Sequence, residues 1–354
     1  MRKFSFELST LLVVLGLLTP SFGQSGHAAP PPPPKSAKNI VCQSRTIPPL
    51  EDVTQKTGVR FRHTYDPEKK YIVESMSGGV LLLDYDRDGW LDIYFTNAPS
   101  VASALKGEKA RGALYHNNHD GTFNDDTYRS GIGNKAILLS GVSMKFLDYD
   151  NDGWPDILQL NGAMLDNVHL YHGEVSYKEP LLMFRNLGKG QFEKVSDSLG
   201  PDFMRPIAGR GLATADYDND GDIDIVTNNR GDYPSLLRND GGNGNHWLEI
   251  LLIGTKSNRD GIGASLKLTS EGISHVEQAK GGMSYMSAND PRIFFGLGKR
   301  TKIDSLEITW PSGTVEKLTS VPFDKIIAIR EGAGIVPHPF PQIARKPAPK
   351  TATR

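Results

Sequence analysis

The sequence predicts an all-β protein, with about three propeller-type blades followed by a small C-terminal domain of β-sandwich type. Three observations carry that expectation. An aspartate-rich segment occurs three times along the chain, and an asparagine-centred motif alternates with it. From about Asn245 both cease, and short strands separated by glycine turns take over.

The first repeated segment reads Leu82-Leu83-Asp84-Tyr85-Asp86-Arg87-Asp88-Gly89-Trp90-Leu91-Asp92-Ile93. It returns as Phe146-Leu147-Asp148-Tyr149-Asp150-Asn151-Asp152-Gly153-Trp154-Pro155-Asp156-Ile157, and again as Thr214-Ala215-Asp216-Tyr217-Asp218-Asn219-Asp220-Gly221-Asp222-Ile223-Asp224-Ile225. The companion motif keeps the same period: Leu114-Tyr115-His116-Asn117-Asn118 before Gly121-Thr122-Phe123, Met183-Phe184-Arg185-Asn186-Leu187 before Gly190-Gln191-Phe192, and Leu237-Arg238-Asn239-Asp240 before Gly244. Such self-similarity marks a stack of like units.

Each aspartate segment sits between a short apolar or alternating run (Val80 to Leu83, Val142 to Leu147, Leu212 to Ala215) and one rich in β-branched or aromatic residues (Ile93 to Thr96, Ile157 to Leu160, Ile225 to Thr227). Runs this short, bounded by Gly, Asn and Asp, are strands joined by turns. With the companion elements they give about four strands per repeat, the content of one blade. Residues 46–244 then form the repeat domain. Three repeats are fewer than a propeller usually closes with. Either residues 46–76 add a partial blade, or the array stays open and is capped by the C-terminal region or another subunit.

Residues 245–331 read as a separate β-domain with strands at Trp247 to Ile253, Ala264 to Thr269, Ile303 to Trp310 and Lys325 to Ile329. Trp310-Pro311-Ser312-Gly313 reads as a strand ending in a turn. Residues 332–354 mix prolines with basic side chains and are expected to be a disordered tail.

The aspartate loops suit calcium, a hard cation that takes six to eight oxygens from a flexible loop. Aspartates at positions 1, 3 and 5 converge if the chain turns sharply, and glycine at position 6 permits the turn. The expected ligands are Asp84, Asp86, Asp88, the backbone carbonyl of Trp90, and Asp92 in the first loop. The second supplies Asp148, Asp150, Asp152, Trp154 and Asp156; the third supplies Asp216, Asp218, Asp220, Asp222 and Asp224. About three Ca²⁺ ions are therefore expected, each stapling a blade turn. An EF-hand is excluded, because position 12 is Phe95, Gln159 or Thr227 rather than a bidentate glutamate and the flanks are strands. Zinc is disfavoured because no histidine or cysteine accompanies a loop in sequence. The pairs His116/His119 and His169/His172 read as surface histidines lacking a third spaced ligand.

Charge and termini bound the remaining possibilities. The chain has 354 residues with 40 basic and 41 acidic side chains, so no overall field favours nucleic acid or a membrane surface. Arg2 and Lys3 precede an apolar run from Leu8 to Leu18 and the small-residue pattern Ser21-Phe22-Gly23, the order of a signal peptide over residues 1–23. That run is well short of the ~20 residues a membrane helix needs. Secretion or delivery to a periplasm is expected, with no membrane span in the mature chain. Residues 24–45 are a proline-rich linker, and Cys42, the only cysteine, cannot form an internal disulfide.

Taken together, the repeats resemble the FG-GAP or VCBS repeats of calcium-binding propellers. The region from Asn245 resembles the ASPIC/UnbV domain through Asn245-His246-Trp247-Leu248, Asp260-Gly261-Ile262-Gly263-Ala264, Gly281-Gly282-Met283-Ser284-Tyr285, Ser287-Ala288-Asn289-Asp290, Phe295-Gly296-Leu297-Gly298 and Trp310-Pro311-Ser312-Gly313. The combination is similar to the cartilage acidic protein 1-like family. It implies FG-GAP-type blades binding calcium, a C-terminal β-domain, an extracellular location and no established reaction. The expected function is that of a non-enzymatic scaffold for an extracellular protein or glycan, without nucleic acid. A calcium-dependent polysaccharide hydrolase or lyase is the alternative, with Glu74, Asp166, Glu174 and Glu179 as candidate carboxylates outside the loops.

Overall fold

The computed structural model describes residues 51–63, 78–97, 100, 102, 106, 112–133, 135, 139–163, 166–167, 176–241 and 244–339. Apart from Glu51 these belong to one compact unit, Asp52–Arg354. The expected signal peptide, the proline-rich linker with Cys42, and the end of the expected tail lie outside the described residues.

Each repeat folds as one antiparallel sheet. The first contains β1 (Val80–Leu83), β2 (Asp92–Phe95), β3 (Ala113–Asn117) and β4 (Phe123–Asp125) in that order. The second repeats it with β5 (Gly141–Leu147), β6 (Asp156–Asn161), β7 (Leu182–Asn186) and β8 (Phe192–Lys194). The third has only β9 (Gly209–Ala215), β10 (Asp224–Asn229) and β11 (Ser235–Leu237). Among the described residues no fourth strand follows, for a reason visible in the chain: no aromatic follows Gly244 as Phe123 and Phe192 follow Gly121 and Gly190, and residues from His246 enter the next domain. Residues 51–63 add a single helical turn, Thr54–Thr57, and no strand.

In all three blades the aspartate loop is the hairpin between the first two strands, and the register is the same. Leu83 faces Asp92, Leu147 faces Asp156, and Ala215 faces Asp224. The cores lie between successive sheets. Leu83, Tyr94 and Leu114 of the first blade share a cluster with Ile157, Leu182 and Phe184 of the second. The opposite side chains of the second blade, Leu158, Leu160 and Met183, pack with Leu212 and Ile225 of the third. This face-to-face succession explains why all six residues of β6 are buried, since it is covered on both faces.

The C-terminal domain comprises β12 (His246–Ile253), β13 (Ser265–Ser270), β14 (Ile273–Gln278), β15 (Ile293–Gly298), β16 (Ile303–Thr309), β17 (Val315–Leu318), β18 (Lys325–Arg330) and β19 (Gly334–Val336). They form two sheets, β15-β12-β18-β19 and β14-β13-β16-β17, enclosing one core of the sandwich type. Leu266 and Leu268 of β13 point inward while Lys267 between them is exposed. Each fully buried side chain of that kind contributes about 1.5–3 kcal/mol, so a one-residue slip that buried the lysine would be strongly disfavoured. Trp310 is 1% exposed and belongs to this core. Glu331 ties its rim together, accepting backbone N–H groups of Thr255, Lys256 and Ser257 at 2.8, 2.7 and 2.8 Å. Gly334–Val336, expected to lie in the tail from Gly332, instead pairs antiparallel with β18.

Candidate metal centre

The three loops share one backbone. Position 4 is left-handed in each, with φ of 63° at Arg87, 56° at Asn151 and 57° at Asn219. The glycine at position 6 follows with φ of 91°, 92° and 94°. The first carboxylate closes the turn from inside: Asp84 accepts from the N–H of Asp88 and Gly89 at 3.0 and 2.9 Å, and Asp216 from Asp220 and Gly221 at 3.0 and 2.8 Å. Asp148 accepts from Gly153 at 2.7 Å. Position 5 accepts the N–H at position 7 in each loop, Asp88 from Trp90, Asp152 from Trp154 and Asp220 from Asp222.

The ninth position is tied to the companion motif. Asp92, Asp156 and Asp224 accept with one oxygen from the N–H of Tyr85, Tyr149 and Tyr217, and with the other from Asn117, Asn186 and Asn239. The asparagine amides then reach to the preceding blade, Asn186 to the carbonyl of Tyr85 at 2.9 Å and Asn239 to that of Tyr149 at 2.7 Å. That contact is why the two motifs share a period.

Carboxylate oxygens of Asp84, Asp86 and Asp88 lie within 4.8 Å of one another, as do those of Asp148, Asp150 and Asp156, and of Asp216, Asp218 and Asp224. In the second and third loops position 5 is therefore not brought into these groups; Asp152 instead faces Arg185 at 3.4 Å. Asp222 is wholly buried and receives the Asn151 amide at 3.2 Å. Burial, and then neighbouring carboxylates, push Asp86 and Asp150 above the usual carboxylate range. Asp148 and Asp156 are raised well above it by the same causes. Burial takes Asp92 and Asp224 up to about 7 and Asp216 to about 6, against hydrogen bonds that act the other way. Crowded, partly desolvated carboxylates of this kind are what a divalent cation relieves. Two buried oxygens, Asp86 Oδ1 and Asp148 Oδ1, accept no hydrogen bond, a state that suits ligation of a hard cation.

Sequence spacing missed three relationships. The fourth position of each loop reaches the next unit. Arg87 lies over the Trp154 ring at 3.8 Å, Asn151 donates to the carbonyl of Gly221 at 2.9 Å, and Asn219 accepts from Arg292 of the C-terminal domain at 2.7 Å. That domain also lies on the second and third loops: Gly298 N–H donates to the carbonyl of Asn151 at 2.7 Å, Asn245 to that of Asp150 at 2.7 Å, and Arg292 to that of Asp216 at 2.6 Å. Gly296 approaches Asp148 so closely that a side chain there would collide with its carboxylate. Finally, His116 and His119, read from sequence as surface residues remote from the loops, stand beside the first one. Pairing of β3 with β2 carries them there, a placement no linear spacing shows.

Of the carboxylates considered for hydrolysis, Glu179 is buried and accepts the Ser140 N–H at 2.7 Å, a structural role. Burial raises it to about 7. Asp166 is exposed, and Glu74 and Glu174, like His169 and His172, lie outside the described residues.

The FG-GAP-like repeat family matches residues 84–159 and 175–227, and the family described as ASPIC and UnbV matches residues 254–336. Cartilage acidic protein 1 of Xenopus tropicalis is 25% identical over 327 residues, covering 87% of this chain and 44% of that protein. The Homo sapiens protein of the same name is 25% identical over 310 residues, covering 82% and 41%. This chain thus spans less than half the length of these relatives. A solved Agrocybe aegerita lectin, described as recognising non-reducing terminal N-acetylglucosamine, covers 47% of this chain and 40% of its own at 17% identity and a TM-score of 0.25, too loose to support any inference. The chain is a β-propeller-type protein of FG-GAP-like repeats joined to an ASPIC and UnbV domain, and over most of its length it is similar to cartilage acidic protein 1.

Proposed function

We propose that this protein is an exported calcium-binding scaffold that presents a surface to an extracellular protein or glycan and catalyses no reaction. The observation that supports the reading is the repetition of one loop geometry in three blades, with carboxylate oxygens of three aspartates clustered within 4.8 Å in each. A divalent ion in such a loop supplies charge neutralisation and fixes the turn. The chain's own residues then pass that rigidity on. Asn186 and Asn239 hold neighbouring blades, and Arg292 holds the C-terminal domain to the third loop. Binding surfaces commonly form on loops held by a rigid scaffold. The N-terminal signal-like pattern and the likeness to cartilage acidic protein 1 both favour an extracellular setting.

Thermal melting of the protein with about 1 mM calcium and with chelator tests the ion, since extracellular calcium modules bind at about 10⁻⁴ to 10⁻³ M. A melting temperature unchanged by calcium overturns this reading. Capture of partners from extracellular material, with and without calcium, tests the scaffold role. Retention that is indifferent to chelator counts against it.

A further inference from the structure

We infer that the first blade carries a second kind of cation site, in which His116, His119 and Asp88 bind a borderline divalent ion of the zinc class. One ligand atom from each of these residues lies within 4.8 Å of the others. Two imidazoles and a carboxylate form a mixed nitrogen–oxygen set, which suits zinc and its neighbours, whereas calcium takes oxygen alone. Three protein ligands leave a coordination position for water.

The repeats themselves supply the comparison. At the place of His116 the second blade has Arg185, whose guanidinium lies 2.8 Å from Asp150 and 3.4 Å from Asp152. The third has Arg238, paired with Asp240 at 2.9 Å. Two blades thus place a permanent cation beside the loop, and the first places a metal-ligating ring. At the place of His119 the second blade has Gly188, with φ of 74°. His119 keeps that left-handed backbone, at φ 66°, although a side chain there costs about 1–2 kcal/mol. The same turn sets both, since His119 N–H donates to Asn117 Oδ1 at 3.0 Å as Gly188 N–H does to Asn186 Oδ1 at 2.9 Å; the first blade accepts the strain and gains the ring.

The surroundings orient both rings. His119 Nε2 meets the Asp88 carboxylate, and the ring stacks on Trp90 with centroids 5.2 Å apart. His116 Nδ1 is buried without a hydrogen bond and lies 3.4 Å from Asp86 and 3.3 Å from Asp92, so two further carboxylates face the ring. Carboxylates around a ligating imidazole hold its orientation and raise its basicity. Pairing of one histidine with one aspartate would account for His119 alone; it does not account for the convergence of both.

The test is calorimetric titration of the full chain with Zn²⁺, in about 1 mM calcium so that the second and third loops, whose carboxylates the zinc site does not share, are occupied. The expected result is one equivalent of zinc bound by the wild type, at least about tenfold weaker binding by His119→Gly, and none by His116→Arg. Both variants install the residue found at the matching place in the second blade. His119→Gly also relieves the backbone, so it tests the site even if His116→Arg folds poorly. Co²⁺ in place of zinc should give the visible absorption of a nitrogen-ligated ion, lost in His119→Gly. Equal zinc binding by the wild type and His119→Gly overturns the inference, as does absence of zinc binding by the wild type or an oxygen-only cobalt spectrum. The calcium reading fails separately, through loss of the calcium-dependent melting shift.

Discussion

The side-chain amide of Asn151 donates to the backbone carbonyl of Gly221 at 2.9 Å, so the second aspartate loop holds the third by its tightest turn. Asn151 is wholly buried and left-handed, and asparagine is among the few non-glycine residues that adopt that conformation readily.

Replacing Asn151 therefore separates two effects. Asn151→Gly keeps the backbone and deletes the amide, with an expected cost of about 1–3 kcal/mol for the carbonyl left behind. Asn151→Ala adds about 1–2 kcal/mol of left-handed strain. Urea unfolding of both variants measures the difference. Equal midpoints would show that the backbone there relaxes.

Arg292 bridges to the third loop through several partners: Glu249 at 2.7 Å, Asp290, Asn219 and the carbonyl of Asp216. Arg292→Ala leaves buried Glu249 without its guanidinium, and removal of one partner from a buried pair costs about 3–5 kcal/mol. Arg292→Lys should recover part of this, because the charge remains and the fork is lost. Denaturant midpoints with calcium present check the order wild type, lysine, alanine.

Calcium and protons should compete. Asp92 and Asp224 are held near about 7 and Asp216 near about 6, above the ordinary value of 3.8. Without calcium the folded protein binds more protons than the unfolded chain in that window. Stability should therefore fall as pH rises from about 4 through 7. With calcium that loss should be offset, and affinity should weaken by about tenfold or more between pH of about 7.5 and 5. Melting curves with chelator and with calcium across this range check both signs. A calcium-free protein more stable at the higher pH would contradict the burial of these carboxyls.

Equivalent glycines should not tolerate alanine equally. Gly89 has open space where a Cβ would stand, so Gly89→Ala costs only the strain of its φ of 91°, about 1–2 kcal/mol. At Gly221 the added atom would lie 2.0 Å from the Trp247 ring. Gly221→Ala should cost a further 1–3 kcal/mol or so, because the indole must move away. Urea midpoints for the two variants check the ordering.

The aspartate loops were legible because metal-type turns are local: position 1 bonds to positions 5 and 6, and glycine supplies the backbone. The blade strands were legible from alternation beside them. What remained hidden depends on pairing across distance. His116 comes beside Asp92 only because Ile93 pairs with Tyr115. The parallel partnership of β12 with β18, Leu248 opposite Lys325, joins segments with no shared motif, and the whole second sheet is its crossover. The glycines of Phe295-Gly296-Leu297-Gly298 were visible as a motif, but their purpose was not. They allow a strand to lie against Asp148 and Asp152.

The covering of the third loop has a consequence for the order in which the molecule is finished. Its aspartates are complete at Asp224, yet Trp247 and Arg292, which close over Gly221 and Asp216, arrive later in the chain. The edge of β9 is likewise sealed by Ser287 and Asn289, which accept the N–H groups of Leu212 and Thr214. A chain ending before the C-terminal domain would thus carry an unsealed third loop beside an open strand edge. Quality of the third loop becomes a report on whether the C-terminal domain has been made.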